Sequence, residues 1–404
     1  MRILYITPSF QHPLVRGNTR HYHFLRALSQ RHAITLLTLA RSRIPAEAYQ
    51  EIDSYTERLY TFSASSDSGL AGGAGLNPLV GDNQLSRFLQ LRSGVRQMKQ
   101  TFTQLARQGG YDLLLFHGKD CFSVIEDFQD FPIVVDFCDA TSMRVKSKMS
   151  YVGSVKRLLL RLRYRQVLQI EEKIVQKTPY LAFISSRDRQ AILGQNNRAE
   201  VIPSGIDFQY WQRQTHNPQP NRLIFTGIMR YAPNDDAALY LVDKILPRLK
   251  SSFPEIEVFI VGRDPSPALR ERASQHPEVT VTGFVDDMRP YYEQAAIFVA
   301  PLRYASGMQN KIQEALAMGV PIVTTSITAA GVCVDEAEEP PLYVADEPGE
   351  FTEKIIRLLS DQAERNRLAV QGRRFAEKHF DWARSARQLE QMCLDAYHEA
   401  RRNV

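Results

Sequence analysis

The sequence predicts an α/β protein built from two open parallel-sheet domains, and three observations lead to this prediction. Short runs of apolar and β-branched residues alternate with longer segments of helical period, which is typical of parallel sheets covered by helices. This alternation stops near residue 205 and restarts after a polar stretch with two prolines at 212–221. A chain of 404 residues is long enough for two large domains.

Five strands are expected in each domain. The first five are 2–7, 33–39, 113–116, 133–136 and 180–184. The second five are 223–226, 258–261, 279–282, 297–300 and 322–324. We therefore place the domains at 1–205 and 206–380, followed by a helix at 381–404 that can return to the first domain. A segment rich in Gly, Ala and Ser at 64–81 predicts a loop.

The composition excludes several classes of protein. With 44% hydrophobic and 24% charged residues, the chain is neither wholly disordered nor fibrous. Lys and Arg number 50 and Asp and Glu 45, and the net charge of +5 does not by itself indicate a nucleic-acid partner. Four scattered cysteines predict neither a disulfide framework nor a structural zinc site. Apolar runs are too short for a membrane span, and we expect a cytoplasmic protein.

Open parallel sheets bind ligands beyond the carboxyl ends of their strands, so two such domains place a site in the cleft between them. No G-x-G-x-x-G follows the strands at 2–7 or 223–226, and no G-x-x-x-x-G-K-[ST] occurs. These absences argue against a dinucleotide enzyme and a P-loop NTPase.

The most informative stretch is 300–323, which contains a strand, a glycine turn, a helix, a second glycine and another strand. A helix starting near Gly307 would present the N–H groups of Gly307, Met308 and Gln309 to an anion, with Lys311 one turn further on. Glu314 could then accept hydrogen bonds from a ribose. This arrangement predicts a cradle for a nucleoside diphosphate, although a surface Lys–Glu pair on an ordinary helix explains the spacing equally well.

Three further stretches accompany that helix: L-I-F-T-G-I-M-R-Y-A-P-N-D-D-A at 223–237, V-G-R at 261–263 and V-T-G-F-V-D at 281–286. Together with 300–323 they resemble the group 1 glycosyltransferases, and most closely a bacterial exopolysaccharide branch. The resemblance implies the GT-B fold, with two Rossmann-like domains facing across a cleft. It also implies a retaining transfer of a hexose from a nucleoside-diphosphate sugar, UDP-linked, to a glycan or lipid-linked acceptor.

The resemblance assigns roles to particular positions. Glu314 matches the second of two family glutamates, which binds the nucleotide ribose, whereas the first falls on Ser306. The family's diphosphate-binding arginine falls on Ile228, so Arg230 or Lys311 would supply its charge. The implied donor-binding residues are Gly17, Gly227, Arg230, Arg263, Phe284, Ser306, Gly307, Met308, Gln309, Asn310, Lys311 and Glu314.

In the first domain, His117 resembles the histidine near the transferring carbon, and Asp136 and Asp139 resemble acceptor contacts. His117, Lys311 and Glu314 are therefore the candidate catalytic residues. The residues themselves leave other interpretations open: Gly17 can be a plain turn glycine, His117 a structural histidine, and either aspartate a helix cap. The resemblance implies a front-face attack in which the leaving diphosphate helps to deprotonate the acceptor. No D-x-D pair ends a strand, so we expect no metal and no cofactor.

The segment 144–165 contains eight basic and no acidic residues. Within it Arg157, Arg161 and Arg165 recur at helical spacing with leucines between them, a pattern that suits a peripheral contact with an anionic membrane. Alternatively, the leucines pack on the first domain and the arginines are solvated. Few aromatic residues accompany the arginines, which disfavours nucleic-acid binding.

Two alternatives to the transferase remain at this point. A nucleotide-sugar epimerase can share the same two-domain architecture. The departures at Ser306 and Ile228 instead suit a non-catalytic scaffold that binds sugar nucleotides weakly.

Overall fold

The computed structural model describes residues 1–15, 19–63, 84–194, 199–214, 218–335 and 337–402, with the backbone alone for 84–90. Gly17 and the loop predicted at 64–81 lie outside the described residues.

The first domain contains a seven-stranded parallel sheet in the order β3-β2-β1-β4-β5-β6-β7. Its strands are β1 Arg2–Thr7, β2 Ala33–Ala40, β3 Arg58–Ser63, β4 Leu113–His117, β5 Ile133–Cys138, β6 Leu181–Phe183 and β7 Glu200–Val201. The second domain contains a six-stranded parallel sheet in the order β10-β9-β8-β11-β12-β13. Its strands are β8 Arg222–Thr226, β9 Glu257–Val261, β10 Val279–Gly283, β11 Ile297–Ala300, β12 Ile322–Thr324 and β13 Tyr343–Val344.

Helices connect the strands and cover both sheets. Those of the first domain are α1 Arg20–Leu28, α2 Ala46–Ser54, α3 Gln84–Gln108, α4 Thr141–Lys148, α5 Ser154–Lys177 and α6 Ser186–Leu193, with a 3₁₀ helix at Lys119–Val124. Those that follow are α7 Ala232–Tyr240, α8 Leu246–Lys250, α9 Pro267–Ser274, α10 Arg289–Gln294, α11 Asn310–Ala317, α12 Ser326–Val332, α13 Pro348–Ser360, α14 Gln362–His379 and α15 Trp382–Arg402.

All ten strands predicted from the sequence are present, and the described residues contain three more that the sequence analysis missed. The missed strands β3, β7 and β13 are three of the four edge strands, and the fourth, β10, was predicted. An edge strand has a neighbour on one side only, and β3 accordingly has a single buried residue, Phe62. Without a continuous apolar run, such strands carry little sequence signal.

The last helix, α15, packs on α1 and lies beside β4 and β5 of the first domain. Leu389 and Met392 on α15 join the buried cluster that contains Ile3 and Tyr5. The boundaries 1–205, 206–380 and 381–404 remain our proposed division of the chain.

Among the described residues, none of the helices has an 18-residue stretch apolar enough to cross a bilayer.

Candidate functional site

Each sheet has one point at which its strand order reverses along the chain. In the first domain this point lies between β1 and β4, and in the second it lies between β8 and β11. Ligands of open α/β sheets bind beyond the strand ends at such a point, because the outgoing connections diverge there and leave a crevice. His117 ends β4, Gly227 follows β8, and the turn leading to α11 follows β11.

A group of five residues, which we call the C-terminal cluster, lies at the reversal point of the second sheet: Gly227, Asn234, Tyr292, Lys311 and Glu314. Lys311 Nζ donates a hydrogen bond to Asn234 Oδ1 and lies 4.7 Å from the centroid of the Phe225 ring. A Cβ atom on Gly227 would lie 2.5 Å from Asn234 Nδ2 and 3.1 Å from Lys311 Nζ, so a larger residue there would displace the amide that holds the ammonium group. Burial lowers the pKa of Lys311 to about 7.

Glu314 lies one turn beyond Lys311 on α11. Its Oε2 accepts a hydrogen bond of 2.9 Å from the Tyr292 hydroxyl, which also lies 2.9 Å from Thr226 Oγ1. Burial raises the pKa of Glu314 to about 7, although Tyr292 and Lys311 act to lower it. Lys311 is only 7% exposed, so the two residues are not a solvated surface pair.

The helix α11 starts at Asn310, three residues later than the sequence suggests. Gly307 has a φ of +64° and Gln309 is extended, so neither belongs to the helix. The prediction that the N–H of Gly307 points free towards an anion is wrong, because this group donates to Asp188 Oδ1 at 3.2 Å. The exposed Asn310 now stands at the helix N-terminus, while Met308 is buried.

The other residues predicted to contact the donor lie around this cluster with more exposure. The Arg230 side chain is 72% exposed, with Nε 3.9 Å from Asp264 Oδ2. Arg263 is less exposed, and its Nε lies 4.0 Å from the same carboxylate. Phe284 is 58% exposed. The structure therefore places Lys311, and not Arg230, as the buried cation beside Gly227.

In the first domain, His117 lies above a buried ion pair. Both carboxylate oxygens of Asp136 accept hydrogen bonds from Arg20, at 2.8 and 3.0 Å. Burial opposes ionisation of Asp136, but Arg20 and His117 hold its pKa well below the usual range. His117 Nδ1 lies 2.6 Å from the Asp136 carbonyl oxygen, which fixes the imidazole ring at the strand end.

The expectation that Asp136 contacts an acceptor is not supported, because its side chain is 0% exposed. Asp139 is 29% exposed and lies near His117, on the wall of a large cavity. Neither aspartate caps α4, whose N-cap is Ala140. The side chains of Asp139 and Ser306 bring the two domains into contact, since Ser306 Oγ donates to Asp139 Oδ2 at 2.6 Å. Lys119 and Ser306 lower the pKa of Asp139 against the effect of burial.

Two residues of helix α6 also contact the turn at Gly307 that precedes α11. Asp188 Oδ1 accepts hydrogen bonds from the backbone of Gly307 and of Ala140. Arg187 Nη2 donates to the Gly307 carbonyl oxygen at 2.9 Å, and Arg187 Nη1 donates to the Ile327 carbonyl oxygen. The turn before α11 is thus fixed between the two domains.

His21, His117 and Asp136 bring ligand-type atoms within 4.8 Å of one another, a grouping that can be considered for a metal ion. Arg20 already occupies both oxygens of Asp136, and Tyr5 bonds His21 Nδ1 at 2.9 Å. This donor set is therefore a poor fit to a cation. The absence of a metal requirement stays a prediction.

Comparison with known proteins then identifies one part of the chain. Residues 220–361, which contain the whole C-terminal cluster, match the family model described as glycosyl transferases group 1. These residues form a group 1 glycosyltransferase domain. Lys311 and Glu314 lie within this matched range, and their assignment to a nucleotide site stays a prediction.

Three proteins of known name are similar to parts of this chain. Spore coat protein SA of Bacillus subtilis is 30% identical over 120 residues, which are 29% of this chain and 32% of that protein. The capsular polysaccharide biosynthesis glycosyltransferase CapM of Staphylococcus aureus is 30% identical over 122 residues, 30% and 31% of the two chains. A phosphatidyl-myo-inositol mannosyltransferase of Mycobacterium tuberculosis is 24% identical over 59% of this chain and 64% of its own. The chain thus spans about a third of the first two relatives.

Solved structures with the same fold cover almost the whole chain. The sucrose-phosphate synthase of Thermosynechococcus elongatus has a TM-score of 0.67 at 16% identity, over 98% of this chain and 99% of its own. The Anabaena protein HepE in complex with UDP and glucose has a TM-score of 0.62 at 13% identity, over 96% and 98% of the two chains. Together with the two parallel sheets, these matches confirm the GT-B fold.

The sequence analysis missed several residues around the site. Arg20 contacts Asp136 across 116 residues of sequence, and Lys119 pairs with Asp139 at 3.3 Å. Asn234, the partner of Lys311, stands in the quoted motif at 223–237 but was not selected. The sequence feature that could have identified Asn234 is a polar side chain in the first turn of α7, shortly after the glycine turn at Gly227. Arg20 has no comparable local signal.

Proposed function

We propose that this protein is a retaining glycosyltransferase that moves a hexose from a nucleoside-diphosphate sugar, UDP-linked, to a glycan or lipid-linked acceptor in bacterial polysaccharide synthesis. The observation that carries the proposal is the buried Lys311 beside Gly227, at the strand-order reversal point of a group 1 glycosyltransferase domain. Among the described residues no carboxylate forms an ion pair with this ammonium group, although Glu314 lies close enough to raise its pKa. Such a group suits an anionic ligand, because the anion offsets the cost of burying the charge.

Four of the five residues of the C-terminal cluster have a direct role in this proposal. Lys311 and the first N–H groups of α11 stabilise the diphosphate as it leaves, and Gly227 gives it close access to the backbone. Glu314 accepts hydrogen bonds from the ribose hydroxyls, with Tyr292 orienting its carboxylate. A group held in place before the reaction stabilises the developing charge without reorganisation.

The opposite domain supplies the rest of the site. His117 faces the cavity that we assign to the acceptor. In place of the glutamate that Ser306 replaces, Asp139 offers a carboxylate from the first domain, hydrogen-bonded to the Ser306 hydroxyl. We assign Asp139 to the boundary between donor sugar and acceptor.

The test is a thermal-shift and calorimetric screen of UDP, GDP, ADP, TDP and their common sugars, with no added metal. We expect one nucleotide to bind selectively, with weaker binding to Lys311→Met and unchanged binding to the control Lys244→Met, an exposed lysine of the same domain. If no nucleotide binds, even with Mg²⁺ or Mn²⁺, the transferase proposal fails and the scaffold takes its place. Turnover of a UDP-sugar without any acceptor would instead favour an epimerase.

A peripheral membrane contact through 144–165 is the second part of the proposal. Leu158 and Leu159 on α5 are 59% and 63% exposed and do not pack on the first domain. Flotation with anionic liposomes should recover the wild type but not an Arg157→Glu/Arg161→Glu/Arg165→Glu triple variant. Equal recovery of both would remove the membrane contact.

A further inference from the structure

One cavity of the first domain has a composition that the transfer reaction alone does not explain. It has a volume of about 1300 Å³ and lies between α3, the 3₁₀ helix Lys119–Val124 and α5. His117 and Asp139 are part of its wall, so it opens onto the site described above. We call it the basic cavity.

Positive charge dominates the lining of the basic cavity. Eight cationic and three anionic side chains line it, a surplus of five positive charges, although Asp127 and Glu171 outside the lining also pair with Lys99 and Lys119. The cations are Arg41, Arg92, Arg96, Lys99, Lys119, Arg144, Arg163 and Lys173. The three carboxylates already pair with lining cations: Asp120 with Arg41, Glu126 with Lys173, and Asp139 with Lys119. Concave walls with one sign of charge concentrate a ligand of the opposite sign.

Apolar side chains share the same walls. Leu91 and Val95 contribute from α3, Phe122 from the 3₁₀ helix, and Val167 and Ile170 from α5. A neutral sugar would leave the surplus positive charge of these walls uncompensated, whereas an anionic group joined to an apolar chain matches both the cations and the apolar surface.

The face of α5 that lines the cavity continues outside it. Val155, Leu158, Leu159 and Leu162 are 78%, 59%, 63% and 53% exposed. At 3.6 residues per turn, Leu159 and Leu162 lie on the same face as the lining residues Gln166, Ile170 and Lys173. One face of α5 therefore leads from an exposed apolar strip at its N-terminal end to the charged cavity.

We propose that the acceptor is an amphiphile with a phosphate or diphosphate group between its sugar and a lipid chain. The phosphate binds in the basic cavity through Arg96 and Arg163, the chain lies along the exposed strip of α5, and the sugar reaches His117. This inference rests on the proposed function, which it extends by naming the class of acceptor.

The test uses decyl phosphate, below its micelle-forming concentration, as a probe in calorimetry. Inorganic phosphate and decanol represent the charge alone and the chain alone. We expect decyl phosphate to bind more tightly than either, and Arg96→Glu/Arg163→Glu to weaken it by roughly tenfold or more. The control is Arg26→Glu/Arg107→Glu, which makes the same change of charge at two exposed arginines of the first domain outside the cavity lining and should alter binding less than twofold.

The length of the probe's alkyl chain supplies a second measurement. Lengthening hexyl to decyl phosphate should tighten binding by up to roughly fourfold for each fully buried CH₂ group, and Leu159→Ser/Leu162→Ser should reduce that gain. Equal weakening by both arginine pairs would overturn the cavity assignment. Binding of inorganic phosphate as tight as decyl phosphate would replace the lipid-linked acceptor with an anionic glycan.

Binding of UDP, measured on the same samples, separates this inference from the proposed function. UDP affinity should be unchanged in the cavity variants, because the C-terminal cluster lies in the other domain. If UDP binds but decyl phosphate does not, the acceptor class is wrong and the transferase remains. If decyl phosphate binds and no nucleotide does, the donor assignment is wrong.

Discussion

The ammonium group of Lys311 is the charge in the C-terminal cluster that depends most on its surroundings. Burial lowers its pKa to about 7, so near neutral pH the ligand-free protein holds Lys311 partly deprotonated. A bound diphosphate favours the charged form, and binding must then take up a proton.

This linkage predicts the pH dependence of nucleotide binding. Above pH 7 deprotonation of Lys311 should lower the affinity for UDP as the pH rises, because protonating Lys311 becomes costlier, while ionisation of Glu314, whose pKa burial raises to about 7, favours binding over the same range. Calorimetry at pH 7.5 in buffers of different ionisation enthalpy should therefore compare proton uptake by the wild type with that by a Lys311→Met variant. The Lys311→Met variant should bind more weakly and take up correspondingly less, since the ionisation of the nucleotide itself is common to both. Equal proton uptake by both proteins would show that Lys311 does not contact the diphosphate.

The ribose assignment of Glu314 makes a separate prediction. Glu314→Ala should weaken UDP binding by about 1.5–3 kcal/mol for each charge-assisted hydrogen bond lost. It should weaken 2′-deoxy-UDP binding less, because one of the two ribose partners is already absent. Tyr292 keeps Thr226 as a hydrogen-bond partner in this variant, which limits secondary effects. A loss that is the same for both nucleotides, measured by calorimetry, would argue against the ribose.

The sequence alone could predict that Lys311 and Glu314 share one helix after β11, because their motif is local. It could not predict that Arg20 neutralises Asp136, since that pair depends on how α1 crosses the end of β5. For the same reason Asp136 and Asp139 looked equivalent in the sequence. The strand β5 buries the first, whereas the second lies just beyond the strand and reaches the other domain.

At the scale of elements, the start of α11 depends on its neighbours. The sequence predicts a helix from Gly307, but α6 presents Asp188 and Arg187 to both backbone polar groups of that glycine. These two hydrogen bonds compete with the first helical turn, and the left-handed conformation at Gly307 results. Hydrogen bonds of this kind between two domains produce no periodic sequence pattern, so the sequence could not predict where α11 begins.

Arg187 should therefore hold the turn before α11 in place. Replacing it by leucine removes the hydrogen bonds to Gly307 and Ile327 and leaves two carbonyl oxygens without this donor, at a cost of about 1–3 kcal/mol each. In the Arg187→Leu variant we expect faster amide hydrogen exchange across residues 303–309. Gln190→Ala changes an exposed residue of the same helix and serves as control. Unchanged exchange in Arg187→Leu would mean that Asp188 alone fixes the turn.

At the scale of the whole molecule, the chain crosses between its domains at the end. The helix α15 follows α14 of the second domain directly, yet its apolar face completes the core of the first domain. The sequence indicated that such a return was open to the chain, but not which surface it would cover, because an amphipathic pattern gives a face without naming its partner.

The two tryptophans of the chain report on this arrangement separately. Trp382 stacks on His23 of the first domain with ring centroids 4.2 Å apart, whereas Trp211 packs edge-on against Tyr292 of the second at 5.5 Å. In a Trp211→Phe variant the fluorescence of Trp382 reports the docking of α15 on the first domain. In a Trp382→Phe variant the fluorescence of Trp211 reports the unfolding of the second domain.

Replacing Leu389, a fully buried residue of α15, by alanine should lower the free energy of unfolding by about 2–5 kcal/mol. Because Leu389 packs among residues of the first domain, urea unfolding followed by Trp382 should shift to lower urea concentration more than unfolding followed by Trp211. Arg387→Ala, an exposed position on the same helix, should shift neither transition appreciably. If the two tryptophans report equal shifts for Leu389→Ala, the two domains unfold as one cooperative unit, and the expected selective loss of stability in the first domain is wrong.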